Sequence, residues 1–409
     1  MVGVRVASNA ASYTRAPQNR ELGVDFSLSE DQELFRKAIR DFCEREITPI
    51  AAEIDKADRF PDDLWKKLGD MGLLGIGVPE SYGGSGGDMF DSFLAGEELA
   101  AASSGVALSS GAHAYLCVYN LFRNGSEAQR QRYLPELCAG RRVGALCITE
   151  PDIGSDAMGM TTRAEPDGDG FVLTGGKTWI TNGPIADVFV LYAKTDPNAG
   201  ARSLTAFILE RGMPGLTTSA PFDKLGCKGS PTGRVFLDGV RVGPEQVLGR
   251  VGGGVHVLMS GLDVERALFS TLAIGQARRA FELALAYSQQ RAQFGRPIAQ
   301  FQMVQAKLAD MYTRIEAARL LTQRATLACV DMNRGGKGTQ VHKLAASALL
   351  FSAEAAEKVV YDALQIHGGN GYSAEFEISR LYRDVRLGTI GAGTSEIRRL
   401  IIARELLGS

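Results

Sequence analysis

Residues 171–183 read Phe-Val-Leu-Thr-Gly-Gly-Lys-Thr-Trp-Ile-Thr-Asn-Gly and interrupt an otherwise helical chain. Turn-forming pairs separate the β-favouring residues, namely Gly175-Gly176, Asn182-Gly183 and, just upstream, Asp167–Gly170. Three further β-rich runs follow at 188–192, 204–209 and 235–237. Short runs of β-branched and aromatic residues between turn signals are typical of strands. The pattern therefore predicts a β domain in the middle of the chain.

The residues before this β domain have helical periodicity. Ser27-Leu-Ser-Glu30 has the form of a capping box, which predicts a helix start there. A second helix is predicted from Phe93 to Ala102. The run of small residues at 103–114 suits either close helix packing or the wall of a pocket.

Long helices return after residue 250, with breaks predicted near 291–297, 333–338 and 368–372. The order of helical, β and helical blocks predicts an α+β fold. The expected segments are a disordered tail at 1–24, a helical domain at 25–142, a β domain at 143–250 and a helical domain at 251–409. Residues 1–20 carry three arginines and no acidic residue, so a transit segment is the alternative to a disordered tail.

Composition and charge argue against several classes of function. The formal net charge is −2 and no basic run stands out, which argues against nucleic-acid binding. No apolar run of about 18 residues is present, so no membrane span is expected. The six cysteines and four histidines are scattered, which predicts free thiols and no metal site. The chemistry is therefore expected from carboxylates or from a bound organic cofactor.

One carboxylate lies where helical spacing predicts an apolar stripe. The stripe consists of Leu258, Leu262, Phe269 and Leu272. Glu265 falls on it, three residues after Leu262 and four before Phe269. Burial of an unpaired carboxylate raises its pKa, which is a property of a proton-abstracting base. The alternative is a structural ion pair with the adjacent Arg266.

Four further segments combine polar side chains with glycines. They are 148–156 (ITEPDIGSD), 177–183 (KTWITNG), 291–298 (RAQFGRPI) with 365–372 (QIHGGNGY), and 390–399 (IGAGTSEIRR). Trp179 and Thr181, two residues apart in a predicted strand, would present a flat ring and a hydroxyl on one face. Arg291 offers donors suited to phosphate, and Thr394 stands at the predicted start of a helix. Each segment also has an ordinary explanation as a turn, a core tryptophan or a helix cap.

Taken together and in this order, these segments resemble the acyl-CoA dehydrogenase family, from about residue 25 to the C-terminus. The resemblance implies an N-terminal helical domain, a middle β-barrel and a C-terminal four-helix bundle. It also implies FAD between the last two domains, completed by a neighbouring subunit of a homotetramer. The implied activity is dehydrogenation of an acyl-CoA, with electron-transferring flavoprotein as the acceptor.

The resemblance carries roles to matching positions. Trp179 would stack near the flavin and Thr181 would bond its reactive edge. The residues implied to hold FAD are Ile148, Thr149, Gly154, Ser155, Trp179, Thr181, Arg291, Gln293, Phe294, Gln365, Gly368, Gly369, Thr394 and Glu396. The residues implied to contact the acyl-CoA are Ser155, Leu262, Asp263, Arg266, Phe269, Gly391 and Ala392.

This chain departs from most of the family at the position that usually carries the catalytic base. Most members carry a Glu immediately before the final Gly-Thr, where this chain has Ala392. A minority branch, which includes the isovaleryl-CoA dehydrogenases, carries the base at the position of Glu265. Glu265 is therefore the expected base for the α-proton. The backbone N–H of Ala392 is expected to help polarise the thioester oxygen.

The expected substrate follows from the same turn. Gly391 and Ala392 replace a bulkier Tyr-Glu pair, which predicts a wider pocket and a branched short-chain substrate, isovaleryl-CoA first. Phe269 stands where that branch tends to carry a smaller aliphatic residue, so citronellyl-like and straight-chain acyl-CoAs remain alternatives. An acyl-CoA oxidase and a flavoprotein repurposed for nucleic-acid binding are the competing functions. The expected compartment is the cytoplasm of a bacterium or the mitochondrial matrix of a eukaryote.

Overall fold

The computed structural model describes residues 27–196, 198–333 and 340–408. The tail predicted at 1–24 lies outside these ranges, as does most of the break predicted at 333–338. In the described ranges, no helix is both long enough and apolar enough to cross a membrane.

Helices form the first part of the described chain. They are α1 (Glu30–Glu46), α2 (Ala51–Ala57), α3 (Asp62–Asp70), α4 (Met89–Ala102), α5 (Ser104–Gly111), α6 (Tyr119–Asn124) and α7 (Glu127–Cys138). A π-helical segment joins α5 to α6. The small residues at 103–114 are therefore largely helical, and one of them, Gly105, would clash through a Cβ with the Lys228 carbonyl oxygen at 2.0 Å. This contact favours the close-packing interpretation of the run.

The prediction that Ser27 and Glu30 form the capping box of α1 is wrong. The cap is Ser29, whose hydroxyl accepts from the Gln32 N–H at 3.2 Å while the Gln32 side chain accepts from the Ser29 N–H at 3.0 Å. The same motif recurs two residues further on. A start at Glu30 places three acidic residues in the first turn, where the helix dipole favours negative charge.

The middle of the chain is a sheet, as predicted. Its strands are β1 (Gly144–Cys147), β2 (Arg163–Asp167), β3 (Gly170–Thr181), β4 (Val188–Lys194), β5 (Leu204–Glu210), β6 (Leu216–Thr218), β7 (Thr232–Val242) and β8 (Val247–Leu248). Within the described residues the sheet is eight-stranded, in the order β6-β7-β3-β2-β4-β5-β8, and β1 pairs with β4 in parallel. Strands that are neighbours in sequence pair in β2–β3, β4–β5 and β6–β7, whereas β3–β7 and β5–β8 join strands that are further apart.

Two of the three predicted turns are confirmed and one is wrong. The β2–β3 hairpin closes at Asp167 and Gly170, and a turn follows β3 at Asn182. Gly175-Gly176 instead lies inside β3 and pairs with β7. A Cβ at Gly175 would meet the Thr162 backbone at 2.9 Å, so close packing rather than a turn requires this glycine.

Helices form the last part of the chain. They are α8 (Gly254–Gln290), α9 (Gln302–Asn333), α10 (Val341–His367), α11 (Glu377–Asp384) and α12 (Ser395–Leu407), with a small hairpin of β9 (Ala292–Gln293) and β10 (Arg296–Pro297) after α8. Helices α8, α9 and α10 pack together, α12 packs on α10, and α4 packs on α8. The order of helical, β and helical blocks is confirmed.

Helix α8 is buried on more sides than a single stripe allows. Val264, Ala267 and Leu268, which lie off the predicted stripe, are all buried because α4, α9 and α10 cover the helix. On the stripe, Leu262, Glu265 and Phe269 are only partly buried. These three side chains therefore keep some exposed surface on a helix that its neighbours largely cover.

Candidate active site

Glu265 is one of these partly exposed residues of α8. Burial raises the pKa of the Glu265 carboxyl to about 7, against the opposing effect of the Arg266 and Arg398 guanidinium groups. Within the described residues no ion pair joins Glu265 to Arg266, which pairs with Asp263 instead. The ion-pair alternative for Glu265 is therefore wrong. A carboxyl group with this pKa is poised to accept a proton near neutral pH.

Two of the residues expected to contact the acyl-CoA form a charged cluster beside Glu265. Arg266 donates through Nη1 to Asp263 Oδ1 at 3.2 Å, and His342 Nδ1 lies 2.6 Å from the same oxygen. The contact with Asp263 raises the pKa of His342. Sequence reasoning did not single out His342, because it lies 79 residues from Asp263 with no motif around it.

The turn that replaces the usual base packs against α8. A Cβ placed on Gly391 would stand 3.4 Å from Cζ of Phe269, so the ring tip reaches this turn. Ala392 follows in the left-handed region, at φ +54°. Arg398 of α12 is completely buried and donates to the carbonyl oxygens of Gly388, at 2.9 Å, and of Gly391. The structure therefore brings Phe269, Gly391 and Ala392 together and adds Arg398.

Tyr192 is a second residue that sequence reasoning missed. It lies on β4 in the apolar cluster that also contains Leu258 and receives Leu262. Its ring is completely buried, and its hydroxyl has no hydrogen-bond partner within the described residues. Burial, and then the charge of Glu265, raise the pKa of Tyr192. A neutral hydroxyl donor thus lies on the sheet side of the base.

A buried ion pair anchors the 148–156 segment to β3. Lys177 Nζ donates to the Ile148 carbonyl oxygen at 3.1 Å and to Glu150 Oε1 at 2.8 Å, with both charged side chains almost fully buried. Burial opposes ionisation of Glu150, but Lys177 and two threonines together lower its pKa to about 2. The Thr178 N–H also donates to the Thr149 carbonyl oxygen at 2.8 Å. Ile148 and Thr149 are therefore held beside Trp179.

The Trp179 side chain is exposed, so it is not the core tryptophan that was the alternative. It is 63% exposed, has φ +58°, and lies where the register between β3 and β7 shifts. Its ring meets Phe222 edge-on at 4.9 Å between centroids. Thr181 is partly buried, and the intervening Ile180 is buried on the opposite side. Gly154 and Ser155 lie in the nearby loop, where a Cβ on Gly154 would touch nothing within 4 Å.

Other residues expected to hold FAD line a separate cleft of about 340 Å³. The cleft is lined by Gln293, Phe294, Ile298, Phe301, Met303, Val304, Lys307, Gln365 and Ile366. Phe294 is 94% exposed, and a Cβ on Gly368 or Gly369 would meet nothing within 4 Å. Arg291 is exposed at the end of α8. The predicted cofactor residues of one subunit thus fall in more than one place.

The start of α12 forms a third location. Thr394 is the N-cap and accepts from the Ile397 N–H at 3.4 Å. Glu396 is exposed in the first turn, and the buried Ser395 hydroxyl has no partner within the described residues. An exposed ring, uncovered glycine backbone and a helix N-terminus with a free hydroxyl fit the rings and phosphates of FAD. The described residues contain no group of three His, Cys, Asp or Glu side chains that could hold a metal ion.

Known proteins share this architecture over almost the whole chain. Models of the acyl-CoA dehydrogenase N-terminal, middle and C-terminal domains match residues 29–141, 145–240 and 252–407. Mitochondrial isovaleryl-CoA dehydrogenase of Oryza sativa subsp. japonica is 46% identical over 381 residues, covering 93% of this chain and 92% of the relative. Mitochondrial 2-methylacyl-CoA dehydrogenase of Solanum tuberosum is 42% identical over 411 residues, covering 99% and 98%.

Solved structures agree with these relatives. Butyryl-CoA dehydrogenase from Megasphaera elsdenii has a TM-score of 0.89 and 38% identity, covering 94% of this chain and 100% of that chain. The predicted family and fold class are confirmed by matches that span all three parts of the chain. The chain belongs to the acyl-CoA dehydrogenase family of FAD-dependent oxidoreductases.

Proposed function

We propose that this enzyme introduces an α,β double bond into a short branched-chain acyl-CoA, with isovaleryl-CoA as the first expected substrate and Glu265 as the base. The observation that carries the proposal is Glu265, which is partly buried on α8: burial raises the pKa of its carboxyl to about 7, and its stripe neighbour Phe269 reaches the Gly391-Ala392 turn. The usual acid is absent from that turn. Glu265 supplies the missing acid from α8.

The residues around Glu265 have opposing effects on the proton affinity of its carboxylate. Apolar walls raise the proton affinity of the carboxylate, while the two nearby guanidinium groups keep a fraction of it ionised near neutral pH. The proton moves from the substrate α-carbon to a Glu265 carboxylate oxygen. Bound FAD supplies the acceptor for the hydride that leaves the β-carbon. The Ala392 N–H is the donor that we assign to the thioester oxygen, where charge develops as the proton leaves.

The acyl chain is proposed from the volume beside this turn. Gly391 leaves space that a side chain would fill, which favours a branch near the reacting carbons. The Phe269 ring takes up part of that space. This contact favours a compact chain and supports a 2-methyl-branched acyl-CoA as the second candidate substrate, ahead of long chains.

The remaining partners are proposed from exposed surface. Phe294, which lines the cleft that holds several predicted cofactor residues, is 94% exposed, and Tyr372, at the end of the 365–372 segment, is 91% exposed. Large aromatic side chains with this exposure favour a second copy of the chain as cover, within the proposed homotetramer. We propose electron-transferring flavoprotein as the electron acceptor.

Anaerobic flavin bleaching tests the substrate and the base together. Isovaleryl-, 2-methylbutyryl-, butyryl- and octanoyl-CoA would each be mixed with the wild type, with Glu265→Gln and with Glu53→Gln, an exposed control on α2. We expect isovaleryl-CoA to bleach the wild type and the control fastest. Glu265→Gln should be slower by about 10²–10⁴-fold, the usual contribution of a general base.

Two outcomes would count against the proposal. Wild-type bleaching rates in Glu265→Gln would refute the base, and bleaching by none of the branched substrates would refute the proposed acyl chain. Peroxide release in air at the rate of turnover would identify an acyl-CoA oxidase instead of a dehydrogenase.

A further inference from the structure

Arg398 is a fully buried cation, and no carboxylate pairs with it in the described residues. It is the largest side chain in this part of the chain with almost no exposed surface. Its two terminal nitrogens donate to main-chain oxygens, Nη1 to Gly388 at 2.9 Å and Nη2 to Gly391. Its Nε has no partner there. Because burying a cation without a counter-ion is costly, the location of Arg398 requires an explanation.

The two accepting carbonyls belong to the turn that replaces the usual base. The N–H groups of Ile390 and Gly391 both donate to the Leu387 carbonyl oxygen, at 3.0 and 2.8 Å. Ala392 then adopts φ +54°, a left-handed conformation that is strained for a residue with a Cβ. A strained backbone conformation persists only where contacts with the surrounding structure stabilise it. The planar fork of Arg398 bridges two carbonyls of this turn and is suited to do so.

The charge of Arg398 also acts on Glu265. Burial lowers the pKa of Arg398 to about 10, and Arg266 acts in the same direction, while Glu265 opposes them. The other charged groups that act on Arg398 are Glu354 of α10 and Glu396 of α12. Glu265 in turn is influenced by Arg266 and Arg398 and acts on Tyr192 of β4. The positive charge of Arg398 on α12 and the carboxyl charge of Glu265 on α8 therefore influence each other.

We infer that Arg398 is a positioning residue for the dehydrogenation. It holds the turn through Gly388 and Gly391, which fixes the Ala392 backbone, and it adds a buried positive charge to the surroundings of Glu265. This inference rests on the proposed function and deepens it. It predicts that the two roles of Arg398 can be separated by substitution.

Two substitutions separate geometry from charge. Arg398→Lys keeps a cation but loses the fork, so kcat for flavin reduction should fall about tenfold while KM and the pH midpoint stay near wild type. Arg398→Gln removes the charge, so the midpoint of the kcat/KM profile should rise by about half a pH unit or more. Arg399→Gln is the matched control, since Arg399 is the exposed neighbour that pairs with Glu354 at 2.7 Å. Arg399→Gln should change neither kcat for flavin reduction nor the pH midpoint of kcat/KM.

A second measurement needs no substrate. The effect of Glu265→Gln on thermal stability at pH 8 would be compared in the wild-type and Arg398→Gln backgrounds, as a double-mutant cycle. We expect Glu265→Gln to raise Tm more in the Arg398→Gln background than in the wild type, because the ionised Glu265 carboxylate there lacks one favourable positive charge. If Arg398→Gln does not accumulate, the cycle with Arg398→Lys should show the coupling retained, and its loss would refute the charge role.

The outcomes distinguish this inference from the proposed function. An unchanged pH midpoint together with an additive cycle would overturn the charge role, and wild-type kcat in Arg398→Lys would overturn the geometric role. If no acyl-CoA bleaches the wild-type flavin, the proposed function fails, whereas the cycle still tests the coupling of Arg398 to Glu265.

Discussion

Replacing Glu265 by Gln should stabilise the folded protein at alkaline pH, although it removes the proposed base. Burial raises the pKa of Glu265 from its ordinary value of 4.5 to about 7. Between these two pH values the folded state binds a proton that the unfolded chain has released. The free energy of unfolding therefore falls as pH rises through this window. Gln at the same position carries no such penalty.

The structure sets the size of the effect. Raising the pKa from 4.5 to about 7, at about 1.4 kcal/mol per pH unit, gives an upper limit of about 3.5 kcal/mol, reached well above pH 7. Partial exposure of the carboxyl reduces this figure. The expected difference in Tm between Glu265→Gln and the wild type is thus several degrees at pH 8.5 and close to zero near pH 4.5.

Differential scanning fluorimetry on FAD-saturated samples from pH 4.5 to 8.5 would measure this difference. Glu53→Gln, at an exposed position, should follow the wild type throughout. A Glu265→Gln advantage that is constant with pH would refute the reasoning, because it would reflect packing instead of ionisation. A loss of stability at pH 8.5 would mean that the Glu265 carboxylate is favourably paired in the folded enzyme.

Three further predictions concern the buried ion pair on β3, the acyl pocket and the cap of α1. Lys177→Met should cost about 3–5 kcal/mol, measured by chemical unfolding, because it leaves the Glu150 carboxylate buried without its partner; replacing both residues by apolar ones should recover most of the loss. Phe269→Leu should raise kcat/KM about tenfold for acyl chains one or two carbons longer than the preferred one, and Gly391→Ala should lower it for branched chains, since the new methyl would touch the Phe269 ring at 3.4 Å. Ser29→Ala should lower the free energy of unfolding by about 1 kcal/mol through loss of the α1 cap, with flavin reduction rates unchanged.

Much of the fold could be predicted because its signals are local. The strands around 171–183 and the helices before and after them follow from residue type, spacing and turn chemistry within short windows. The two wrong predictions, the cap at Ser27 and the turn at Gly175-Gly176, also came from local signals. Two overlapping capping motifs compete at Ser27 and Ser29, and the glycines at 175–176 resemble a turn until the packing of Thr162 against them is known.

The single-stripe description of α8 failed for a different reason. Periodicity predicts which side of a helix is apolar, but it does not show how many neighbours cover that helix. With α4, α9 and α10 around it, α8 is buried on most sides. On the stripe that contains Glu265, Leu258 and Leu272 are buried, and only Leu262, Glu265 and Phe269 keep some exposed surface.

By itself, the sequence determined the family, the order of the helical and β parts and the candidate base, because ordered motifs and one missing acid at Ala392 are visible without coordinates. Only the tertiary structure decided that Glu265 stands free of Arg266, that His342 joins Asp263, that Phe269 reaches Gly391, and that Arg398 and Tyr192 lie beside the base. Most of these contacts join residues that are distant in sequence. The contact of Arg266 depends on which of two nearby carboxylates, Asp263 or Glu265, it pairs with. They arise from packing between elements, which no local pattern encodes.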